Sequence, residues 1–389
     1  MRVTQSMLTN NSLRYLSQSY RQLQVLQDQL STQKKISRPS QDPVVAMNGL
    51  RYRTQLTEVE QFKRNLAEVY NWMESADSAL DQSTEALHRI RELTVQVSND
   101  TYEESQRANV AKEIQQLREH LEALANTKVN GKYIFNGTNT TNAPLDTSLF
   151  DVGLGVFAAA ADGEYEPGEF THVITHNSEQ YELVEKNGDE MIFRSVQDGN
   201  KTIQVNLDGT GTAESITHSH SYVNAEGVTV TDTKDLAERE VVAFHRNAVS
   251  TNSEKVEIEL LKGVTVPVNI DAGSVFSLTL FGDIIQLEKA LQDPSTSAEE
   301  LSAMIENFDR QVDTFVSERA ELGARYNRVE MIDLRIQDQE VIAKRILSDN
   351  EDVDIEKVIT ELLTAENIHR AALSAMSRIM QPTLLDFIR

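Results

Sequence analysis

A chain of 389 residues, 39% hydrophobic and 25% charged, is long enough for two or three domains and too apolar for intrinsic disorder. The absence of cysteine excludes disulfides, thiol catalysis and cysteine-ligated zinc. The net charge of −24 sits in the middle, because residues 1–70 are net +5, residues 354–389 net −1 and the remainder −28; that excess argues against nucleic acid and for a solvated outer surface.

The start, "MRVTQSMLTNNSLRYLSQSY", has no apolar h-region, so no cleavable secretory signal is expected. No run of eighteen apolar residues predicts membrane insertion. Composition by itself points to the cytoplasm. A heptad then runs through Leu13, Leu16, Tyr20, Leu23 and Leu30, broken by Gln27. It ends at "SRPSQDP", where Pro39 and Pro43 push the residues before them out of the α region, so a linker is expected there.

A longer pattern begins at Val59. Phe62, Leu66, Val69, Met73, Ala76, Leu80, Leu87, Ile90 and Val97 follow at steps of three and four, with Ser83 and Thr94 in the same register. This predicts a helix roughly 60 Å long at ~1.5 Å per residue, longer than a compact domain needs. "SNDTYEE" breaks it, and a second helix is expected over about 103–127. Asn130-Gly131 is a tight-turn signal, and Lys132–Phe135 reads as a short strand.

Between about 140 and 282 the period becomes two. "THVIT", "QYELVEK", "KTIQVNL", "EKVEIEL", "VTVPVNI" and "VFSLTLF" read as strands, with turns at "NGD", "DGN" and "DAG". One short helix is expected around 235–247, and 208–230 has no readable pattern. Helix returns at about 283–292. Ser297 and Glu300 form a capping box before a second long stripe: Leu301, Ile305, Phe308, Val312, Phe315, Leu322, Tyr326, Val329, Ile336, Ala343 and Leu347. Arg319, Asp333 and Glu340 interrupt it. After "SDNEDVD" a last stripe comprises Val358, Leu362, Ala365, His369, Ala372, Met376 and Ile379, and Pro382 stops it.

The layout is nearly palindromic. It predicts a mainly α fold with a β insert, in which the N- and C-terminal segments pair as an elongated antiparallel helical rod or coiled coil and the β-rich part is inserted at its far end. The expected domains are 1–37 with 352–389, 44–138 with 283–350, and 139–282.

Sites for chemistry are weak. His172 and His176 lie four apart in an expected strand, and His218 and His220 alternate, but no acidic partner stands at ligand spacing. "GLGVFA" at 153–158 follows no clear strand and opens no helix, unlike a dinucleotide loop. Asn-x-Ser/Thr tripeptides begin at Asn10, Asn136 and Asn139, among other positions. No nucleophile–base arrangement is visible. Neither an enzyme nor a bound cofactor or metal is expected.

Four phrases carry a resemblance: "LSTQKKISRPSQDPVVA" (30–46), "NTKVNGKYIFNGT" (126–138), "ERAELGARYNRVE" (318–330) and "PTLLDFIR" (382–389). Together they resemble the flagellin superfamily of axial flagellar proteins over about residues 1–140 and 283–389. Pro39-Ser40-Gln41-Asp42-Pro43 departs from the paired-Asp, Ala-rich phrase usual in flagellin, which turns the likeness toward subunits of the hook–filament junction. The resemblance implies a secreted structural subunit, exported unfolded by the flagellar type III route and built into a ring of about eleven copies. Hook-associated protein 1 would lie below, flagellin above, and an export chaperone on the C-terminal helix before secretion. This replaces the cytoplasmic expectation. Flagellin itself is the alternative, and a surface adhesin with a glycan-binding insert a more distant one.

The expected assembly residues are Leu13, Leu16, Tyr20, Leu23, Leu30, Leu362, Ala365, Leu373, Met376, Ile379, Leu384, Leu385 and Ile388. A two-helix seam buries one face only, so Leu26, Leu363, Leu373, Met380 and the apolar residues beyond Pro382 are left for neighbouring copies, at ~1.5–3 kcal/mol per side chain.

Overall fold

The computed structural model describes residues 5–99, 103–208, 211–223 and 229–379. The chain is mainly helical with an inserted sheet-rich region, and it divides into two compact units, residues 1–64 with 332–389 and residues 65–331.

The first unit contains α1 (Gln5–Thr32), the start of α2 (Pro43–Val97), the end of α6 (Ala298–Glu351) and α7 (Ile355–Ile379). Local chemistry sets each boundary. Gln33, at φ 57°, takes the left-handed conformation that ends α1. The Gln41 side-chain oxygen accepts from the backbone N–H of Ser37 (2.7 Å) and Arg38 (3.1 Å) and so folds the linker into a turn. Asp42 then caps α2 through the N–H groups of Val44 (3.0 Å) and Val45 (3.1 Å), with Pro43 in the first helical position, where its missing donor costs nothing. Asp354 caps α7 through Lys357 N–H at 3.1 Å.

The second unit combines the rest of α2, α3 (Glu104–Ala125), α5 (Leu278–Gln292) and the first part of α6 with the inserted strands. Val69, Met73, Leu80, Leu87 and Ile90 of α2 are fully buried, as are Ile114, Leu121, Ile284, Phe308, Phe315 and Val329. Ser83 and Thr94 lie in the same stripe and are also buried. Their hydroxyls donate to the carbonyls of Ala79 (2.7 Å) and Ile90 (2.8 Å) one turn back, so neither leaves an unmet polar group. Arg319, which interrupts the α6 stripe, reaches Asp77 at 2.7 Å and also Asp81.

β1 (Lys128–Val129) and β2 (Lys132–Tyr133) form a hairpin. Asn130 and Gly131 between them have φ of 51° and 79°, the handedness that two-residue hairpin turns require. An antiparallel sheet follows, in the order β10 (Val242–His245), β4 (His172–His176), β5 (Glu179–Asn187), β6 (Glu190–Ser195), β7 (Lys201–Leu207), β8 (Ala213–Val223) and β9 (Thr229–Leu236), with β3 (Gly163–Glu164) on β5. Alternate residues Tyr181, Leu183, Met191, Phe193, Ile203, Val205 and Ile216 share one face. The 3-10 segment Leu154–Ala159 covers them with Leu154 and Phe157. "GLGVFA" is therefore a core plug. β11 (Glu257–Leu261) and β12 (Val264–Pro267) make a separate hairpin.

Three expectations are corrected. "VFSLTLF" is not a strand: it ends the short helix α4 (Ala272–Val275) and starts α5 at Leu278, not near 283. Ser277 decides this, because its hydroxyl accepts from Leu280 N–H at 3.2 Å and caps a new helix. The short helix expected around 235–247 is instead strand β10 between two 3-10 turns, Glu238–Glu240 and Arg246–Ala248. The unreadable stretch 208–230 contains all of β8 and the start of β9.

α5 lies against β4 and β10 at close range. A Cβ built on Gly282 would stand 2.2 Å from Thr175 Oγ1. On Gly323, in the middle of α6, it would meet nothing within 4 Å. Gly282→Ala is therefore expected to lower the unfolding free energy of this unit by about 1–3 kcal/mol through overpacking. Gly323→Ala is expected to raise it by about 0.5–1 kcal/mol through helix propensity. Urea unfolding of the two variants beside the parent reads both signs.

Candidate functional site

α1 and α7 pair antiparallel. Leu26, Val358 and Ala365 are buried between them, and Leu23, Leu30, Val353 and Leu362 pack against these three. Leu16 is half-buried, and Met376 is buried further along α7. Leu26 was expected to lie off the seam; it sits at its centre. The stepping from Leu23 to Gln27 to Leu30 passed over it, whereas the helix uses the step of three.

Other expected assembly residues lie outside this core. Leu13 and Tyr20 are exposed, with the Tyr20 ring 6.1 Å from that of His369. Leu373 is 46% exposed. Ile379 ends α7. Met380, Leu384, Leu385 and Ile388 lie outside the described residues.

The pair leaves much apolar surface open. Ile355, Ile359, Leu363 and Leu373 are exposed along α7, at spacings that place them on one flank. The sequence reading missed a second set: Val44, Met47 and Leu50 on α2, and Leu334, Val341 and Ile342 on α6, all exposed. On α2 they recur every three residues, and on α6 Leu334 and Val341 lie two turns apart, beside the buried stripe rather than in it. Among the described residues, sixteen of the twenty-two exposed large hydrophobic side chains belong to the first unit, although it has fewer than half as many residues as the second. Charge divides the opposite way. Residues 1–64 and 332–389 carry seventeen Lys/Arg and fifteen Asp/Glu, whereas residues 65–331 are net −26. One unit is apolar-surfaced and nearly neutral, and the other is strongly self-repelling.

A charged joint links the helices of the first unit. Glu351, with its side chain 8% exposed, receives Lys34 Nζ and Arg53 Nη2, each at 2.6 Å. These hydrogen bonds and charges, Arg53 first, hold its carboxyl below the usual range. Lys35 N–H donates to Glu351 O at 2.7 Å, Val353 N–H to Gln33 O at 3.0 Å, and Asn350 Nδ2 to Val45 O at 3.0 Å. Gly49 makes room, since a Cβ there would stand 2.7 Å from Glu351 Oε1. Glu351→Ala is expected to cost only about 1 kcal/mol, because both cations return to water. It is expected to speed proteolytic cleavage within 33–42 several-fold, and a time course beside the parent chain measures that.

The histidines of the insert fall into separate places. His172 meets His245 edge to face, with ring centroids 4.9 Å apart, and the His176 ring lies 5.7 Å from that of His218. Among the described residues no group of three metal-ligating side chains converges, and no helix is long and apolar enough to cross a membrane.

Two family models match the chain: the bacterial flagellin N-terminal helical region over residues 3–140 and the C-terminal helical region over residues 305–388. Together they take in more than half of it. The chain belongs to the flagellin superfamily. Within that superfamily it is similar to flagellar hook-associated protein 3 of Salmonella typhimurium, 30% identical over 147 residues, and of Escherichia coli, 32% identical over 146. These alignments cover 38% and 37% of this chain and 46% of each relative. Similarity to a flagellin of Clostridium tyrobutyricum is lower, 21%, but extends over 90% of this chain and 96% of that one. Among solved structures, a flagellar hook-associated protein from Vibrio parahaemolyticus shares the fold with a TM-score of 0.52 at 16% identity, over 80% of this chain and 100% of that one. The matched superfamily regions contain the whole first unit as described, including α1, α7 and the joint at Glu351.

Proposed function

We propose that this chain is a non-enzymatic structural subunit of the bacterial flagellum that joins hook to filament. It is exported by the type III route and acts outside the cell. The observation that carries the reading is the concentration of exposed apolar side chains on the nearly neutral first unit. Such a surface is costly in a free monomer and is buried when copies pack. The assembly domain is 1–37 with 352–389, its helical support is 44–138 with 283–350, and 139–282 is the acidic surface insert. Partners are further copies in a ring of about eleven, hook-associated protein 1 on one side and flagellin on the other, with an export chaperone on the C-terminal helix beforehand.

The near full-length match to a flagellin favours one second reading, a filament subunit. Immunogold labelling of intact cells separates the two. A junction subunit gives label at one level between hook and filament, a filament subunit gives label along the filament, and label elsewhere on the cell surface contradicts both.

A further inference from the structure

Beside the Glu351 joint lies a cavity of about 230 Å³. Ile36, Pro39, Val45, Ala46 and Leu50 line it, together with the cationic side chains Lys34, Arg38 and Arg53. Glu351, and Asp352 at 3.9 Å from Lys34 Nζ, offset two of these three charges and leave that of Arg38. Among the described residues no hydrogen bond or ion pair engages the Arg38 guanidinium, and Arg38 is exposed. The site suits a bulky apolar side chain followed closely by a carboxylate.

The chain contains such a segment. Residues 384–388 read Leu-Leu-Asp-Phe-Ile, placing Asp386 among four apolar side chains. We infer that the Pro382–Arg389 segment of one copy docks in this cavity of a second copy, with Leu384 or Leu385 in the apolar part and Asp386 against Arg38. The inference rests on the assembly reading above.

Reach decides that the occupant comes from another copy. α7 starts beside the joint, where Val353 pairs with Gln33, and runs 25 residues to Ile379, about 37 Å away. From Ile379, Leu385 lies six residues on, at most ~22 Å even fully extended, and Ile388 at most ~32 Å. Neither can return along α7 to its own cavity.

The cysteine-free sequence gives a clean test. Full-length chains carrying Ala46→Cys and full-length chains carrying Leu385→Cys are mixed under assembling conditions and treated with a short bismaleimide. Leu50→Cys, at an exposed position, serves as a second cavity site. The expected product contains one chain of each kind, and chains carrying both substitutions give a ladder. Arg38→Glu lowers the yield about tenfold, the weight of one charge-assisted contact, and Asp386→Arg on the tail-bearing chain restores it. The docking is overturned by cross-links confined to single chains, by no product where the parent chain sediments as a multimer, or by a yield indifferent to Arg38→Glu. A parent chain that sediments as a monomer at every concentration overturns the assembly reading itself, and with it the docking.

Discussion

Replacing Leu363 by Asp leaves the melting temperature of the monomer within about 2 °C of the parent and abolishes self-association. Leu363 is 56% exposed, so a carboxylate there keeps its water in the free chain, and substitutions at such positions stay within about 0.5 kcal/mol. In an assembly the same position loses ~1.5–3 kcal/mol of apolar burial and must also desolvate a charge. Each contact therefore weakens at least a hundredfold. Leu373→Asp, at a 46% exposed position on the same flank, is expected to behave alike. Calorimetry and sedimentation velocity on one preparation read both quantities. A fall of more than about 5 °C would mean that the α7 flank packs within its own chain.

The second large effect concerns two buried ionisable groups where the β4–β5 turn meets α5. Asp283 is buried and accepts from Ser178 N–H (2.9 Å), Ser178 Oγ (2.5 Å) and Gln311 Nε2 (3.1 Å). Burial outweighs these bonds and nearby Arg310, and its carboxyl is pushed up to about 6. His176 donates from Nδ1 to Glu240 O at 2.8 Å and accepts at Nε2 from Asn177 Nδ2 at 3.0 Å, as a neutral ring does. Burial, with His218 and Lys234 adding to it against the pull of Glu240, lowers it to about 4.

The two groups act in opposite directions. As pH falls from 6 toward 4, native Asp283 takes up a proton that the unfolded chain does not yet hold, so this group adds stability. From 6.5 to 4 the unfolded histidine is protonated while native His176 is not, so that group removes stability. Each is worth about 3 kcal/mol over its window, and together they nearly cancel. Asp283→Asn leaves the histidine contribution uncompensated: relative to the parent, its stability falls by about 3 kcal/mol as pH drops from 6 to 4. His176→Gln shows the reverse, a relative gain of similar size as pH drops from 6.5 to 4. Urea titrations across that range, taken as variant-minus-parent differences, remove the other carboxylates from the comparison. Two flat difference curves would show that neither group is perturbed.

What the sequence disclosed follows from which faces meet water. α2 and α6 are half-exposed over long stretches, so Val69, Met73, Leu80 and their successors stand out against polar neighbours. α5 is buried on nearly every side from Leu278 to Leu291. It has no polar face to set a period of 3.6, and "VFSLTLF" passes for an alternating strand; Ser277 was the cue to the contrary. β8 and β9 fail in the opposite sense, since Thr, Ser and His are partly exposed on both faces and no alternation appears. At the interface, Leu23 and Leu30 were legible and Leu26 was not, because Gln27 filled the heptad position beside it. Gly49 against Glu351, Gly282 against Thr175 and Ser178 against Asp283 join residues more than a hundred positions apart, and no local pattern reports a tertiary approach of that kind.

The central claim is that α1 and α7 are completed by neighbouring copies, and hydrogen exchange tests it most directly. Amide protection is measured for residues 5–32 and 355–379 in dilute monomer and in assembled protein, with residues 65–97 as internal reference. A single antiparallel pair with so small a core is marginal by itself. The expected result is rapid exchange of both terminal helices in the monomer, strong protection in the assembly, and an unchanged reference. Equal protection of α1 and α7 in the two states would contradict the account.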